Sequence, residues 1–163
     1  MIEERQALIE KIRHFPAELE ALVTGLTAEQ LVTPSLDGEW TIAQNVHHLP
    51  DSHMNSYIRC KMMATETVPT LKPYDEKLWS QFADANGPDL SVSLDLLKAL
   101  HARWVVFWQN LPDEAWARQG YHPENDEIVT LGDMLRDYVA HGEAHLDQIR
   151  RTLAAQAPGV QLA

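Results

Sequence analysis

Two histidines four residues apart, His141 and His145, have the type and spacing that fit metal chemistry. On one face of a helix, side chains at positions i and i+4 lie about 5–6 Å apart at Cβ, so two imidazole nitrogens can meet on one ion. The alternative is a pair of core histidines that are satisfied by hydrogen bonds. A third ligand from another element would favour the metal site over that alternative.

The residue that follows the first of these histidines also bears on the chemistry. It is Gly142, whereas metalloproteases with a His-Glu-x-x-His helix carry their general base, a glutamate, at this position. The sequence therefore disfavours peptidase chemistry of that type.

The histidine pair lies in a stretch that is predicted to form a long amphipathic helix over residues 131–155. At about 100° per residue, an apolar sector runs from Leu131 to Leu153 and includes His145, while His141 lies at its edge. The opposite sector is charged: Asp133, Arg136, Glu143, Asp147, Arg150 and Arg151. Since a charged sector is typical of a solvated face, both histidines are predicted to face the core. Thr130 is the predicted N-cap.

Three further amphipathic segments, at residues 2–24, 41–65 and 91–111, bring the number of predicted long helices to four, with no convincing strand between them. We therefore predict an all-α fold, an antiparallel four-helix bundle that forms one domain over residues 1–163. Residues 66–90 are predicted to be a long crossover whose aromatic residues roof a pocket. Such bundles build metal sites from side chains on facing helices.

Local signals define the ends and irregularities of these helices. Thr41 followed by Gln44 predicts a capping box at the start of the second helix, and Ser91 is the predicted cap of the third. Pro16 predicts a kink or a break in the first helix, and Pro50 predicts a distortion of the second.

The second predicted helix carries a polar sector beside its apolar seam: Gln44, His48, Asp51, Ser52, Asn55 and Arg59. This sector either lines an internal site or faces solvent, and periodicity leaves both interpretations open. His47 is predicted to be a surface or packing residue, and His53 belongs to the apolar seam. His101 is predicted to lie at the surface or to support a ligand. Replacing these three is not expected to change metal binding. His122 would approach a metal site only if its loop, predicted over residues 121–126, folded over it.

Several segments together resemble a known family. They are Gly38 to Arg59, Lys72 to Glu76 with Trp79, Leu100 to Trp104, Tyr121 to Glu124, and Tyr138 with His141-x-x-x-His145. In this order they resemble the DinB-like superfamily of metal-binding four-helix bundles, and within it the branch of metal-dependent hydrolases also called the bacillithiol transferase group. The resemblance extends from the first helix to about Ile149.

The resemblance implies a third metal ligand. In that family three histidines hold the metal, one from the second helix and two at i and i+4 from the last. On this sequence they correspond to His48, His141 and His145, with zinc or nickel as the expected metal. The sequence departs from its relatives at Pro50, where they often carry a small helix former, and at residues 142–144, where some carry further histidine.

Four more side chains are candidates for positions around the metal. Asp51, Asn55 and Arg59 share the sector of His48 and, with Tyr138, are candidates for orienting ligands or binding an anionic group on a thiol cofactor. The alternative for each is a solvated or helix-pairing role.

The predicted site supports two reactions. Three neutral imidazoles leave the ion its charge and an open position, where zinc lowers the pKa of water to about 7 and deprotonates a thiol. The resemblance favours transfer of a thiol such as bacillithiol to an electrophilic small molecule, with hydrolysis as the alternative. A metal-binding stress, storage or sensor protein without turnover is the third interpretation. A fourth protein ligand would close such a site, whereas a catalytic site stays open beneath a cavity.

Composition disfavours other classes of partner. The net charge of −11 disfavours nucleic acid and anionic membrane surfaces, and no apolar run approaches the ~18 residues of a membrane span. The single cysteine, Cys60, and the acidic start of the chain predict a reduced, cytoplasmic protein. A homodimer is expected from the habit of the family and the tryptophan content of the third helix.

Overall fold

The computed structural model describes residues 2–157, most of which belong to four long helices. In chain order the elements are α1 (Ile2–Val23), α2 (Ala28–Val32), α3 (Ile42–Thr65), α4 (Glu76–Trp79), a 3-10 turn (Ala83–Ala85), α5 (Ser91–Gln109), a second 3-10 turn (Asp113–Ala117), β1 (Gln119–His122), β2 (Glu127–Thr130) and α6 (Leu131–Gln156). The predicted four-helix bundle is confirmed, and its long helices α1, α3, α5 and α6 end within two residues of the predicted positions.

The order of the helices around the bundle differs from their order along the chain. Helices α1 and α3 each pack against both α5 and α6. The circular order is therefore α1, α5, α3, α6, and consecutive long helices α1 and α3 lie diagonally opposite each other. This arrangement makes α3 and α6 neighbours, so side chains from the second and the last long helix can face each other.

Two of the three predicted caps are confirmed. Thr41 forms a capping box with Gln44 at the start of α3, and Thr130 forms one with Asp133 at the start of α6. The predicted cap at Ser91 is wrong, because Leu90 is the N-cap of α5 and makes no side-chain cap hydrogen bond. The Ser91 hydroxyl instead donates to a carboxylate oxygen of Asp89.

The prolines do not interrupt the helices that contain them. Helix α1 continues through Pro16 and α3 continues through Pro50, so the predicted break in the first helix is wrong. A proline inside a helix costs about 3 kcal/mol. Both prolines are buried, so packing in the bundle offsets this cost.

A short hairpin replaces the loop that was predicted around Tyr121. Strands β1 and β2 pair antiparallel, with His122 opposite Glu127. The hairpin is also tied to the crossover, since Tyr121 exchanges backbone hydrogen bonds with Pro69 and Leu71. These bonds hold the crossover and the hairpin together beside α3 and α6.

Within residues 2–157, no helix is both long enough and apolar enough to cross a membrane. The core is instead that of a packed bundle, where Trp104 and Trp108 of α5 are almost fully buried. This agrees with the predicted apolar face of the third long helix.

Candidate metal centre

The structure brings three histidines together between α3 and α6. The Nε2 atom of His48 lies 3.4 Å from Nε2 of His141, which in turn lies 3.1 Å from Nε2 of His145. The candidate ligand atoms of all three lie within 4.8 Å of one another. Two nitrogens bound to one tetrahedral zinc, each about 2.0–2.1 Å from it, are roughly 3.3 Å apart. The cluster therefore has the size of a three-histidine metal site.

Burial keeps these histidines neutral. Burial, with a smaller contribution from the neighbouring imidazoles, lowers the pKa of His48 to about 3 and of His141 to about 2, and burial lowers the pKa of His145 to about 4. Imidazole binds a metal only in its neutral form. All three side chains are therefore in that form at pH 7.

A buried amide orients one member of the cluster. Asn45 donates from Nδ2 to the carbonyl oxygen of Thr41, so its Oδ1 is the acceptor that faces Nδ1 of His145 at 2.7 Å. The neutral His145 ring then carries its hydrogen on Nδ1 and its lone pair on Nε2. Asn45 was not among the site residues predicted from the sequence. Its position three residues before His48, on the next turn of the same helix, was a usable signal.

Two further histidines stand behind His141. Nε2 of His53 lies 3.2 Å from Nδ1 of His141, and Nδ1 of His53 lies 2.7 Å from Nε2 of His101. His101 is only 1% exposed and reaches the carbonyl oxygen of Ile12. His101 is therefore not a surface residue, and His53 is not an isolated member of the apolar seam.

His47 packs away from the cluster, as predicted. Its Nδ1 lies 2.7 Å from the hydroxyl of Ser93, and its Nε2 lies 2.8 Å from the carbonyl oxygen of Gly87. It joins α3 to the end of the crossover and to α5. Adjacent histidines on α3 thus have different roles, since His48 joins the cluster and His47 does not.

A cavity of about 770 Å³ opens beside the cluster, with His141 in its lining. The rest of the lining comes from α3, the crossover, the hairpin and α6, and includes Ser52, Arg59, Tyr74, Glu76, His122 and Tyr138. The crossover thus roofs a pocket, as predicted. His122 reaches the pocket because the hairpin folds over it.

The candidate side chains on α3 separate into two groups. Arg59 and the α6 residue Tyr138 line the cavity. Asp51 and Asn55 are not among its lining residues. The Asn55 amide donates to the backbone oxygen of Asp51 within α3. Burial and the nearby carboxylate of Asp84 raise the pKa of Asp51.

Two of the charged side chains that line the cavity bear on its chemistry. Arg59 is 8% exposed and donates from Nη2 to the backbone oxygen of Lys72, while its buried Nε has no hydrogen-bond partner among the described residues. A carboxylate oxygen of Glu76 lies 4.0 Å from Nε2 of His48. The cavity therefore offers a buried cation, and a carboxylate close to the histidine cluster.

Comparison with known families identifies the chain's relatives. The sequence profile of the DinB superfamily matches residues 11–149. A Bacillus subtilis protein named "Putative metal-dependent hydrolase YfiT" is 46% identical over 147 residues, which are 90% of this chain and 83% of that protein. An Oceanobacillus iheyensis protein named "Putative metal-dependent hydrolase OB0782" is 43% identical over 141 residues, 86% of this chain and 81% of that protein.

A solved structure agrees with the sequence comparison. It is described as "YfiT from Bacillus subtilis is a probable metal-dependent hydrolase with an unusual four-helix bundle topology" and superposes with a TM-score of 0.91 at 44% identity. The match covers 93% of this chain and 87% of that one. This chain therefore shares the four-helix-bundle fold of that structure.

Proposed function

The chain belongs to the DinB superfamily, and on that premise we propose that it is a metal-dependent enzyme acting on small molecules. His48, His141 and His145 hold one divalent transition metal, zinc or nickel, beside the cavity. The observation that carries the proposal is the convergence of three neutral imidazoles at the spacing of ligands on one ion.

The donor chemistry of the cluster fits a cation. Because His145 donates its Nδ1 hydrogen to Asn45, its Nε2 lone pair faces Nε2 of His141 at 3.1 Å. Lone pairs that face one another repel, and a cation shared between them attracts each. Imidazole nitrogens suit zinc and nickel alike.

The site is open rather than closed. Within residues 2–157, the group of side chains able to hold an ion consists of the three histidines. Three protein ligands leave a position for water or substrate, whereas structural zinc sites have four. A bound divalent metal supplies Lewis acidity, which lowers the pKa of a water or a thiol in that position. The open position and the adjoining cavity support an enzyme over a storage or sensor protein.

Glu76 is placed to move the proton that this chemistry releases. Its carboxylate lies 4.0 Å from Nε2 of His48, and its side chain is 55% exposed, so it can exchange protons with solvent. A carboxylate within reach of the nucleophile serves as a general base. Glu76 accepts the proton of the attacking water or thiol. It passes this proton to the leaving group in hydrolysis, and to solvent when the leaving group departs as an anion such as chloride.

Arg59 gives the cavity a preference for anionic groups. Its guanidinium is buried, and its Nε has no partner among the described residues. An arginine fork binds carboxylate or phosphate in a planar, two-point geometry. The substrate, or a thiol bound beside it, therefore carries a carboxylate or a phosphate.

Hydrolysis is the first candidate reaction, because the relatives are named as metal-dependent hydrolases. Water attacks the electrophilic centre, the bond to the leaving group breaks, and Glu76 moves the proton from one to the other. Thiol transfer is the second candidate. It is supported by Arg59 in the cavity lining, which suits an anionic thiol such as bacillithiol.

Parallel assays on the zinc-loaded and nickel-loaded protein test the proposal. One assay follows hydrolysis of an ester that carries a carboxylate, and the other follows transfer of an anionic thiol to chlorodinitrobenzene with release of chloride. We expect one of the two reactions to depend on the metal and to be lost in His141→Ala. If neither reaction responds to the metal or to this substitution, the proposed chemistry is wrong.

A further inference from the structure

A line of hydrogen bonds runs from a backbone carbonyl through two buried histidines to His141. It begins at the carbonyl oxygen of Ile12, 2.6 Å from Nδ1 of His101, and continues over 2.7 Å from Nε2 of His101 to Nδ1 of His53. Its last contact joins Nε2 of His53 to Nδ1 of His141 over 3.2 Å. Ile12 lies on α1, His101 on α5, His53 on α3 and His141 on α6, so each long helix contributes one group.

From this geometry we infer that His53 and His101 are positioning residues that fix the tautomer of His141, with its Nε2 lone pair facing the other two histidines of the cluster. The inference rests on the proposed function only for the statement that this lone pair binds a metal. The tautomers themselves follow from the hydrogen bonds.

The direction of every hydrogen bond is set at the Ile12 end. A carbonyl oxygen only accepts, so Nδ1 of His101 must donate. A neutral imidazole has one donor and one acceptor, and therefore Nε2 of His101 accepts from Nδ1 of His53. By the same rule, Nε2 of His53 accepts from Nδ1 of His141. The hydrogen of His141 is thus held on Nδ1, and the lone pair is left on Nε2.

The opposite direction would leave two acceptors facing each other. If His141 accepted at Nδ1, then His53 would donate from Nε2 and accept at Nδ1, and His101 would donate from Nε2. Nδ1 of His101 would then present a lone pair to the Ile12 oxygen at 2.6 Å. Leaving such buried groups unsatisfied costs about 1–3 kcal/mol. The first direction instead leaves lone pairs facing each other at Nε2 of His141 and His145, where His141 lines the cavity and water or a cation satisfies them. The first direction is therefore preferred.

The surroundings keep these rings neutral and in place. Burial lowers the pKa of His101 to about 4 and lowers the pKa of His53 well below its ordinary value. Phe15 stacks on both rings with centroid distances of 5.5 Å, and Trp104 meets both edge-on at 5.8 Å. Neither ring has space to turn over without displacing these aromatic neighbours.

This line of hydrogen bonds orients His141, a candidate metal ligand, and does not conduct protons. A proton relay needs a group at its far end that gives up or takes a proton, and a backbone carbonyl does neither. His101, the histidine at that end, is only 1% exposed, so solvent does not reach it. The same logic applies to His145, whose tautomer is fixed by Asn45, and it gives both α6 histidines the same Nδ1–H form.

Nitrogen NMR on the metal-free wild-type protein tests the tautomers directly. Long-range nitrogen–proton correlations report which ring nitrogen of each histidine carries the hydrogen. We expect His101, His53 and His141 all to carry it on Nδ1. If His53 or His101 carries its hydrogen on Nε2, the inference is overturned. This outcome does not depend on whether the proposed function is correct.

A variant series tests the consequence for metal binding, measured by competition with a chromophoric zinc chelator. His101→Leu removes the acceptor for His53, and we expect the zinc affinity to fall about tenfold to a hundredfold. His101→Gln keeps an acceptor oxygen near the position of Nε2, and we expect it to retain affinity within about threefold of wild type. Equal affinities in the Leu variant and the wild type would contradict a positioning role. If the Leu variant does not fold, the wild-type NMR result decides. Absence of zinc binding in the wild type would instead count against the proposed function alone.

Discussion

Asn45 on α3 accepts a hydrogen bond of 2.7 Å from Nδ1 of His145 on α6, so a buried amide in one helix orients a histidine in its neighbour. Asn45 is fully buried, and its amide hydrogens go to the backbone of its own helix start. These hydrogen bonds within α3 hold the Asn45 amide in one orientation, which does not depend on the contact with His145. Through this contact, the packing of α3 against α6 sets the direction of the His145 Nε2 lone pair in the candidate metal site.

Replacing Asn45 should weaken metal binding without removing a ligand. We expect Asn45→Leu to lower zinc affinity about tenfold to a hundredfold, because His145 is then free to change tautomer. Chelator competition measures the affinity. The matched control is Asn55→Leu on the same helix, since the Asn55 amide bonds only within α3. Equal losses of zinc affinity in Asn45→Leu and Asn55→Leu would show that the loss comes from disturbed packing of α3 and not from the tautomer of His145.

Replacing Glu76 should slow turnover and leave metal content unchanged. If Glu76 is the general base, Glu76→Gln lowers kcat by about 10²–10⁴-fold. Steady-state kinetics on the metal-loaded protein measure the change. Glu124→Gln is the control, because Glu124 is another glutamate in the cavity lining. A loss of metal in Glu76→Gln would instead make Glu76 a ligand.

Replacing Arg59 should change KM for anionic substrates and leave KM for neutral substrates unchanged. We expect Arg59→Gln to raise KM for an anionic substrate by roughly tenfold or more, the scale of one charge-assisted hydrogen bond. A neutral analogue of the same substrate should keep its KM, since it makes no use of the guanidinium. Equal effects on both compounds would mean that Arg59 only supports the fold through Lys72.

The metal-free protein should lose stability as the pH falls below about 6.5. Burial lowers the pKa of His101 to about 4 in the folded state, so between these values the unfolded chain binds a proton that the folded chain does not. For each such histidine the free energy of unfolding falls by about 1.4 kcal/mol per pH unit. Urea titrations at several pH values measure this slope. His101→Gln should flatten it. An unchanged slope in His101→Gln would contradict the assignment of this pH dependence to His101.

Local signals predicted the long helices well. Apolar periodicity, the capping box at Thr41 and the N-cap at Thr130 are properties of short stretches of chain, and they placed the ends of α3 and α6 within one residue. The hairpin was missed because its strands are four residues long and β1 depends on backbone bonds to Pro69 and Leu71 from the crossover. No periodic pattern in the sequence contains that pairing.

The candidate site was predictable only in part. The spacing of His141 and His145 indicated one face of one helix, but periodicity did not select His48, which came from the family resemblance. From the sequence, His53 was placed in the apolar seam and His101 at the surface or in support of a ligand. The structure places His53 against His141 and His101 against His53. Their role depends on α1, α3, α5 and α6 meeting in a particular order, and a helical projection shows only one helix at a time.

The most direct test of the central claim is the metal content of purified wild-type protein and of His48→Ala, His141→Ala and His145→Ala after dialysis. We predict about one equivalent of divalent metal in the wild type and a large loss in each variant, because a three-ligand site that loses one imidazole has only two. His47→Ala is the matched control, since His47 is adjacent to His48, is buried and bonds elsewhere, and it should retain wild-type metal content. Full metal content in both His141→Ala and His145→Ala would contradict the account and leave the pair as a hydrogen-bonded feature of the core.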